Sequence, residues 1–173
     1  RESRFSPEVI YLSNWVSELF LEEKKDKRRL RTAVCFLADI GWAEHPDYRA
    51  EQAYFRILRL PLVAITHKEK AMLALAIYLR YGGDINDHSL RAVIKLLDED
   101  DIEWSYILGS AIGIAEKLSG GKPQLLDGSK LCIGSDKVEL HIISSKVELL
   151  SGEVHRRLSS FAKKLKKTFY LTV

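Results

Sequence analysis

One stretch in the first third of the chain gathers more potentially reactive side chains than any other. Within little more than a helical turn on either side of a short junction stand Asp39, Glu44, His45, Asp47, Tyr48, Arg49 and Glu51. Converging carboxylates and imidazoles can hold a divalent metal, whereas arginine can bind phosphate groups. From these residues alone a structural interpretation is favoured, because charged residues at a helical corner usually cap helix ends and pair with one another.

Two helices must position this stretch. Apolar residues recur at the three-and-four spacing of a helix face from Leu30 to Ile40, and Gly41 follows where a helix often ends. The next helix is expected to start at Pro46, since proline suits the first helical position. The residues between are therefore predicted to form a turn, with Trp42 as a plug that holds it against the helices.

Local signals mark further helices. Ser6 and Thr66 are expected to cap helices, the latter with Glu69 as its capping-box partner, and Asp87 is expected to cap a short helix. The segment that follows Thr66 is apolar nearly all round, which is typical of a helix in the middle of a bundle. A long helix is predicted from about 100 to 118.

The hydrophobic period changes after the segment 119–123, Ser-Gly-Gly-Lys-Pro. Short apolar or alternating runs at 130–133 and 137–143 predict a β-hairpin. A helix over 151–167 and a third strand over 169–173 follow. The fold class predicted is mainly α, with a small strand-strand-helix-strand (α+β) unit at the end.

Composition excludes several classes of protein. The chain has 173 residues, two cysteines and a formal net charge of +3, which predicts one domain with a small appendage and no disulfide or zinc framework. No apolar run is long enough to span a bilayer. We expect a cytoplasmic protein, and because the chain begins at Arg1 we expect it to be a piece of a longer one.

Basic residues cluster in two places, at 24–31 and at 156–167. A phosphate polymer carries about one negative charge per phosphate, so a site for it needs several lysines and arginines together. The alternative is that these residues form solvated faces, and that the second cluster complements the dipole at a helix C-terminus.

The string 37–41, Leu-Ala-Asp-Ile-Gly, resembles the core helix of HD-type phosphohydrolases. Asp39 matches the aspartate of that family, but Ala38 stands where its histidine would be. Loss of that ligand argues against a metal site, so Asp39 is interpreted as a degenerate HD aspartate.

A wider resemblance covers nearly the whole chain. The strings 37–42, 45–52 and 74–83, with His67, resemble the C-terminal region of the exopolyphosphatase/guanosine-pentaphosphate phosphatase (Ppx/GppA) family, in its alphaproteobacterial form. The resemblance implies an HD-like helical domain that binds polyphosphate and supports a homodimer. It also implies a separate N-terminal, actin-like catalytic domain, absent from these residues, that uses magnesium.

The resulting prediction is an accessory domain of an exopolyphosphatase-type phosphohydrolase. It has an HD-like helical domain at 1–119, an α+β unit at 124–173, and no catalytic residue, metal ligand or cofactor of its own. Its partners would be inorganic polyphosphate or guanosine pentaphosphate, the missing N-terminal domain and a second copy, with no membrane. The residues predicted to bind polyphosphate are Arg28, Arg29, Arg31, His45, Arg49 and Arg56.

Two alternatives remain open. The chain could be a stand-alone HD-type metal-dependent phosphohydrolase, which bound metal would reveal. It could also be a non-enzymatic protein- or RNA-interaction module, which would bind different polyanions equally well.

Overall fold

The computed structural model describes residues 7–173, with Pro7 by its backbone only; the predicted cap Ser6 lies outside the described residues. These residues are mainly helical and include a small sheet, which confirms the predicted fold class. The elements are α1 (Pro7–Ser17), α2 (Lys25–Leu37), α3 (Arg49–Arg59), α4 (His67–Arg80), α5 (Arg91–Ile94), α6 (Glu99–Ser119), β1 (Ser129–Ile133), β2 (Lys137–Ile142), α7 (Gly152–Lys164) and β3 (Thr168–Thr172).

The chain divides into two compact units. One is Lys24–Ser110, and the other combines Arg1–Glu23 with Ala111–Val173. The long helix α6 contributes its first part to one unit and its last part to the other. The predicted domains, 1–119 and 124–173, follow the change of pattern along the chain and remain a prediction.

Helix α4 forms the core of the first unit, and every residue from Ala71 to Arg80 is buried. This burial follows from the sequence, because a helix that is apolar nearly all round is stable in water only when other elements cover all of its faces. Helix α6 approaches α4 closely at Gly109, where an added Cβ would lie 2.2 Å from the Ala76 carbonyl oxygen. Glycine therefore sets the distance between these two helices.

The capping predictions are confirmed at two helix starts. The Glu69 backbone N–H donates to Thr66 Oγ1 at 3.1 Å, and the Thr66 N–H donates to Glu69 Oε2 at 2.7 Å, which completes the capping box of α4. The Ser89 N–H donates to Asp87 Oδ1 at 2.8 Å at the start of the short 3-10 helix His88–Leu90.

A buried carboxylate ties together the first turns of α2, α4 and α6. Asp101, only 4% exposed, is 2.5 Å from Lys27 Nζ and 2.6 Å from Lys68 Nζ. Lys68 also contacts Asp98 at 2.8 Å, and this ammonium holds the pKa of Asp98 down at about 2. The Lys27 ammonium lies 5.1 Å from the centre of the Trp104 ring. We call these five residues the lysine–aspartate node.

The last part of the chain forms the predicted strand-strand-helix-strand unit. Strand β1 pairs antiparallel with β2, and β3 pairs parallel with β2, so α7 belongs to the crossover that a parallel pair requires. Helix α7 begins at a Ser151 cap and buries one apolar stripe. Helix α1 is hydrogen-bonded to the first residue of β1, since Trp15 Nε1 donates to Ser129 Oγ at 3.0 Å.

Among residues 7–173, no helix combines the length and apolar character needed to cross a membrane.

Candidate functional site

Residues 38–48, which we call the corner, connect α2 to α3. Helix α2 ends at Leu37, earlier than Gly41 where the sequence predicted its end. The chain then continues in tight turns, in which the N–H groups of Ile40, Trp42 and Glu44 each donate to the carbonyl three residues earlier at 3.0 Å. The corner is therefore a series of consecutive hydrogen-bonded turns.

Position 41 has no room for a side chain, which explains why it is glycine. An added Cβ would lie 2.9 Å from Ala53 Cβ and 3.1 Å from the Tyr81 ring, and the φ angle of Gly41 is not positive. Its N–H donates to Tyr81 Oη at 2.9 Å. Burial raises the pKa of Tyr81, so the phenol stays protonated at neutral pH. The end of α4 is thereby attached to the middle of the corner.

Two of the arginines predicted to bind polyphosphate fasten the corner to α3. Arg49 directs Nε and Nη2 to the Glu44 carbonyl oxygen, at 3.0 and 2.9 Å. Arg56 donates to the Ile40 carbonyl oxygen at 3.0 Å and pairs with the Glu44 carboxylate at 2.5 Å. Both guanidinium groups therefore satisfy polar groups of the turn, which favours a structural role for them.

Asp39 neutralises a buried arginine. Arg80 Nη2 donates to Asp39 Oδ1 at 2.8 Å, with the Arg80 side chain 6% exposed and the Asp39 side chain 79% exposed. The Arg80 guanidinium also lies 4.1 Å from the centre of the Tyr81 ring. Arg80 was not among the site residues predicted from the sequence, although it is a charge that directly follows the apolar run 71–79 of α4.

The position of Asp39 does not fit a metal centre. Among residues 7–173, no group of three or more His, Cys, Asp or Glu side chains is placed to hold a metal ion. Magnesium, which the family resemblance implies for a full-length enzyme, thus finds no ligand set in the described part of this chain.

The corner presents aromatic side chains to solvent. Trp42 is 73% exposed, so the prediction that it plugs the turn is wrong. Tyr48 is 62% exposed, with its ring centre 6.0 Å from that of His45, which is also exposed. His45 Nδ1 accepts a hydrogen bond from the Asp47 N–H at 3.3 Å.

The other three predicted binding residues lie toward the start of α2, and the structure separates their roles. Arg31 is buried. Arg29 donates to the Ala64 carbonyl oxygen at 2.9 Å and pairs with Glu69 at 2.5 Å, which joins α2 to the start of α4. Arg28 is exposed. The six predicted residues therefore form two groups along the chain, one in the first half of α2 and the other at the corner and in α3.

A comparison with protein-family models matches residues 6–171 to the family described as "Exopolyphosphatase, C-terminal". The chain belongs to this family. The match confirms the resemblance seen in the sequence, and it includes both the helices and the strands of this exopolyphosphatase C-terminal domain. No curated protein matches the chain.

Substitution of Asp39 by asparagine tests its role in the exopolyphosphatase C-terminal domain. The buried Arg80 would lose the negative charge of Asp39, so we expect the free energy of unfolding to fall by about 1 to 2 kcal/mol. Urea denaturation measures this, with Asp47→Asn as the control, because Asp47 is 74% exposed and its ion contact is with His45. Equal stability of the two variants would contradict the structural role of Asp39.

Proposed function

We propose that this chain is the accessory domain of an exopolyphosphatase-type phosphohydrolase, and that it binds inorganic polyphosphate and supports dimerisation. An N-terminal domain of the same protein would perform the magnesium-dependent hydrolysis. The family match over residues 6–171 supports this assignment.

The observation that carries the proposed binding is the start of α2. The first hydrogen bond of this helix runs from the Arg28 N–H to the Lys24 carbonyl oxygen at 3.0 Å, so the N–H groups of residues 25–27 have no acceptor within the helix. Lys24 occupies the N-cap position without a side-chain cap. These N–H groups and the positive end of the helix dipole favour an anion at this position.

The side chains around this helix start add positive charge. Lys24, Lys25 and Arg28 are all exposed, and within residues 7–173 neither Lys24 nor Lys25 forms an ion pair. The first turn also contains Asp26, which complements the helix dipole. Lys24 and Lys25 oppose that dipole, so an external anion would stabilise them at this position. Phosphate oxygens accept charge-assisted hydrogen bonds from ammonium and backbone N–H groups alike.

The rest of the basic cluster holds this surface in place. Lys27 binds Asp101 in the lysine–aspartate node, and Arg29 binds Glu69. The cluster that the sequence shows as one basic run is therefore divided into inward cations, which pair with acids of α4 and α6, and the exposed Lys24 and Lys25, which would contact polyphosphate.

The double substitution Lys24→Gln, Lys25→Gln tests the binding site. We expect its affinity for polyphosphate to fall by about ten-fold at low salt. The slope of log affinity against log salt should also fall, by about 0.7 to 0.9 for each lysine in contact with a phosphate. Isothermal titration calorimetry over a salt series measures both quantities.

The matched control is Lys163→Gln, Lys164→Gln, which removes two exposed lysines from the end of α7. It should leave both quantities unchanged. An equal loss in the two double variants would indicate general attraction to the whole surface and would contradict a site at α2. Guanosine pentaphosphate, RNA and heparin serve as competitors, and equal affinity for all of them would count against a dedicated polyphosphate domain.

A further inference from the structure

We infer that a cavity between α1 and the start of β1 binds an alkylguanidinium group, the group carried by an arginine side chain and by free guanidino compounds. The cavity has a volume of about 340 Å³, which is within the range of small-ligand pockets. One wall is the face of α1 that carries residues 11, 14, 15 and 18, and the other is the segment 126–130. Both walls belong to the same compact unit, and the start of α2 belongs to the other.

The two walls are joined by hydrogen bonds. Trp15 Nε1 donates to Ser129 Oγ at 3.0 Å, and Ser129 Oγ donates to the Leu126 carbonyl oxygen at 2.7 Å. Behind the second wall, Lys146 Nζ donates to the Asp127 carbonyl oxygen at 2.5 Å. A cavity whose walls are already ordered loses little conformational entropy when a ligand binds.

The charges that line the cavity favour a cation. Lys130 Nζ lies 2.7 Å from Glu18 Oε2, and this carboxylate raises the pKa of Lys130, so the ammonium stays charged and paired. The carboxylate of Asp127 adds a second negative charge, which no lining cation offsets among the described residues. A phosphate or carboxylate ligand would be repelled, and a cation would restore neutrality.

Three polar side chains of the lining remain available to a ligand. Within residues 7–173, the Tyr11 hydroxyl, the Asn14 amide and the Asp127 carboxylate form no hydrogen bond or ion pair. Each of them offers an oxygen that accepts a hydrogen bond, and a guanidinium group carries five N–H donors and no acceptor. The lining therefore matches a ligand that donates several hydrogen bonds.

The aromatic side chains distinguish a guanidinium from an ammonium group. Tyr11 is 39% exposed, and its ring lines the cavity together with the Trp15 indole four residues later on the same helix face. A guanidinium is planar, so it can stack on an aromatic ring while it donates two parallel hydrogen bonds to one carboxylate. A compact, strongly hydrated ammonium can do neither as well.

Titration of the chain with N-acetyl-arginine methylamide tests the inference. The indole N–H resonance of Trp15 in a ¹H–¹⁵N spectrum reports on the cavity, because this N–H is bonded to its second wall. We expect this resonance to shift saturably, and N-acetyl-lysine methylamide to bind about ten-fold more weakly. Agmatine is the second arm: tighter binding of agmatine would identify a free guanidino compound as the ligand, and tighter binding of the arginine amide would identify an arginine of a polypeptide.

Variants locate the binding groups. Asp127→Asn should lower the affinity for the arginine amide about ten-fold, and Tyr11→Leu about three-fold. The matched control is Asp136→Asn, because Asp136 is exposed in the hairpin turn of the same unit and does not line the cavity. The side chains replaced are exposed, so we expect the melting temperatures to remain close to that of the original chain.

Three results would overturn the inference. They are the absence of a saturable shift of the Trp15 resonance, equal affinity for the arginine and lysine compounds, and an equal loss of affinity in Asp127→Asn and Asp136→Asn. Polyphosphate binding depends on the start of α2 and is measured separately by calorimetry. Neither outcome for the guanidinium group changes the expectation for polyphosphate.

Discussion

Replacement of Asp101 by asparagine is expected to lower the free energy of unfolding by about 3 kcal/mol. Asp101 is nearly completely buried and contacts two ammonium groups, Lys27 Nζ at 2.5 Å and Lys68 Nζ at 2.6 Å. An asparagine has nearly the same shape but no negative charge, so Lys27 would lose its carboxylate partner and Lys68 would retain Asp98 alone of its two. The loss would act on three helices at once, since the node joins the first turns of α2, α4 and α6.

Asp100 offers a matched control in the same turn of α6, because it is exposed. Asp100→Asn should change the free energy of unfolding by less than about 0.5 kcal/mol. Chemical denaturation with circular dichroism at neutral pH compares the variants. If Asp101→Asn were no less stable than Asp100→Asn, the lysine–aspartate node would not be a determinant of the fold.

Gly109→Ala should destabilise the domain by about 2 kcal/mol, although alanine in a helix is intrinsically better than glycine by about 1 kcal/mol. The new Cβ would lie 2.2 Å from the Ala76 carbonyl oxygen and 3.0 Å from Leu79 Cβ. The closest neighbour is backbone, so a side-chain rotation cannot relieve the contact. Helices α4 and α6 would have to separate, and α4 is the helix buried on every side.

Gly152→Ala is the control for helix propensity, because nothing lies within 4 Å of the position of its added Cβ. It stands at the first residue of α7 and should be neutral or slightly stabilising. Thermal unfolding of the two variants under identical conditions measures the difference. A Gly109→Ala variant as stable as Gly152→Ala would show that the two helices are not in close contact at this point.

Local features of the fold could be predicted from the sequence. The capping box of Thr66 and Glu69, the Asp87 cap and the β-hairpin each depend on residues that are close together in the chain. The buried character of α4 could be predicted too, because its apolar residues leave no polar face. In these cases the signal and the structure it determines occupy the same short segment.

Features that depend on distant residues could not be predicted. Lys27 and Asp101 are 74 positions apart, and neither the basic nor the acidic cluster indicates which partner it meets. Arg80 and Asp39 are 41 positions apart. Trp42, which follows Gly41, was predicted to hold the turn against the helices, but it is exposed.

The candidate site was predicted as a set of residue types, and the structure gives those residues different surroundings. Arg31 is buried, and Arg29, Arg49 and Arg56 are bound to carbonyl or carboxylate groups of the same chain. Only three-dimensional contacts identify the arginines that are satisfied within the chain. Lys24 and Lys25, which were counted in the cluster but not assigned to the site, now carry the binding proposal.

The central claim is that this domain binds a phosphate polymer without cleaving it. The most direct test mixes the chain with polyphosphate and magnesium, then measures bound polymer by calorimetry and released orthophosphate in the same sample. We predict salt-dependent binding that weakens in the Lys24→Gln, Lys25→Gln variant, with no release of orthophosphate. Failure to bind, or steady release of orthophosphate by the chain alone, would contradict it.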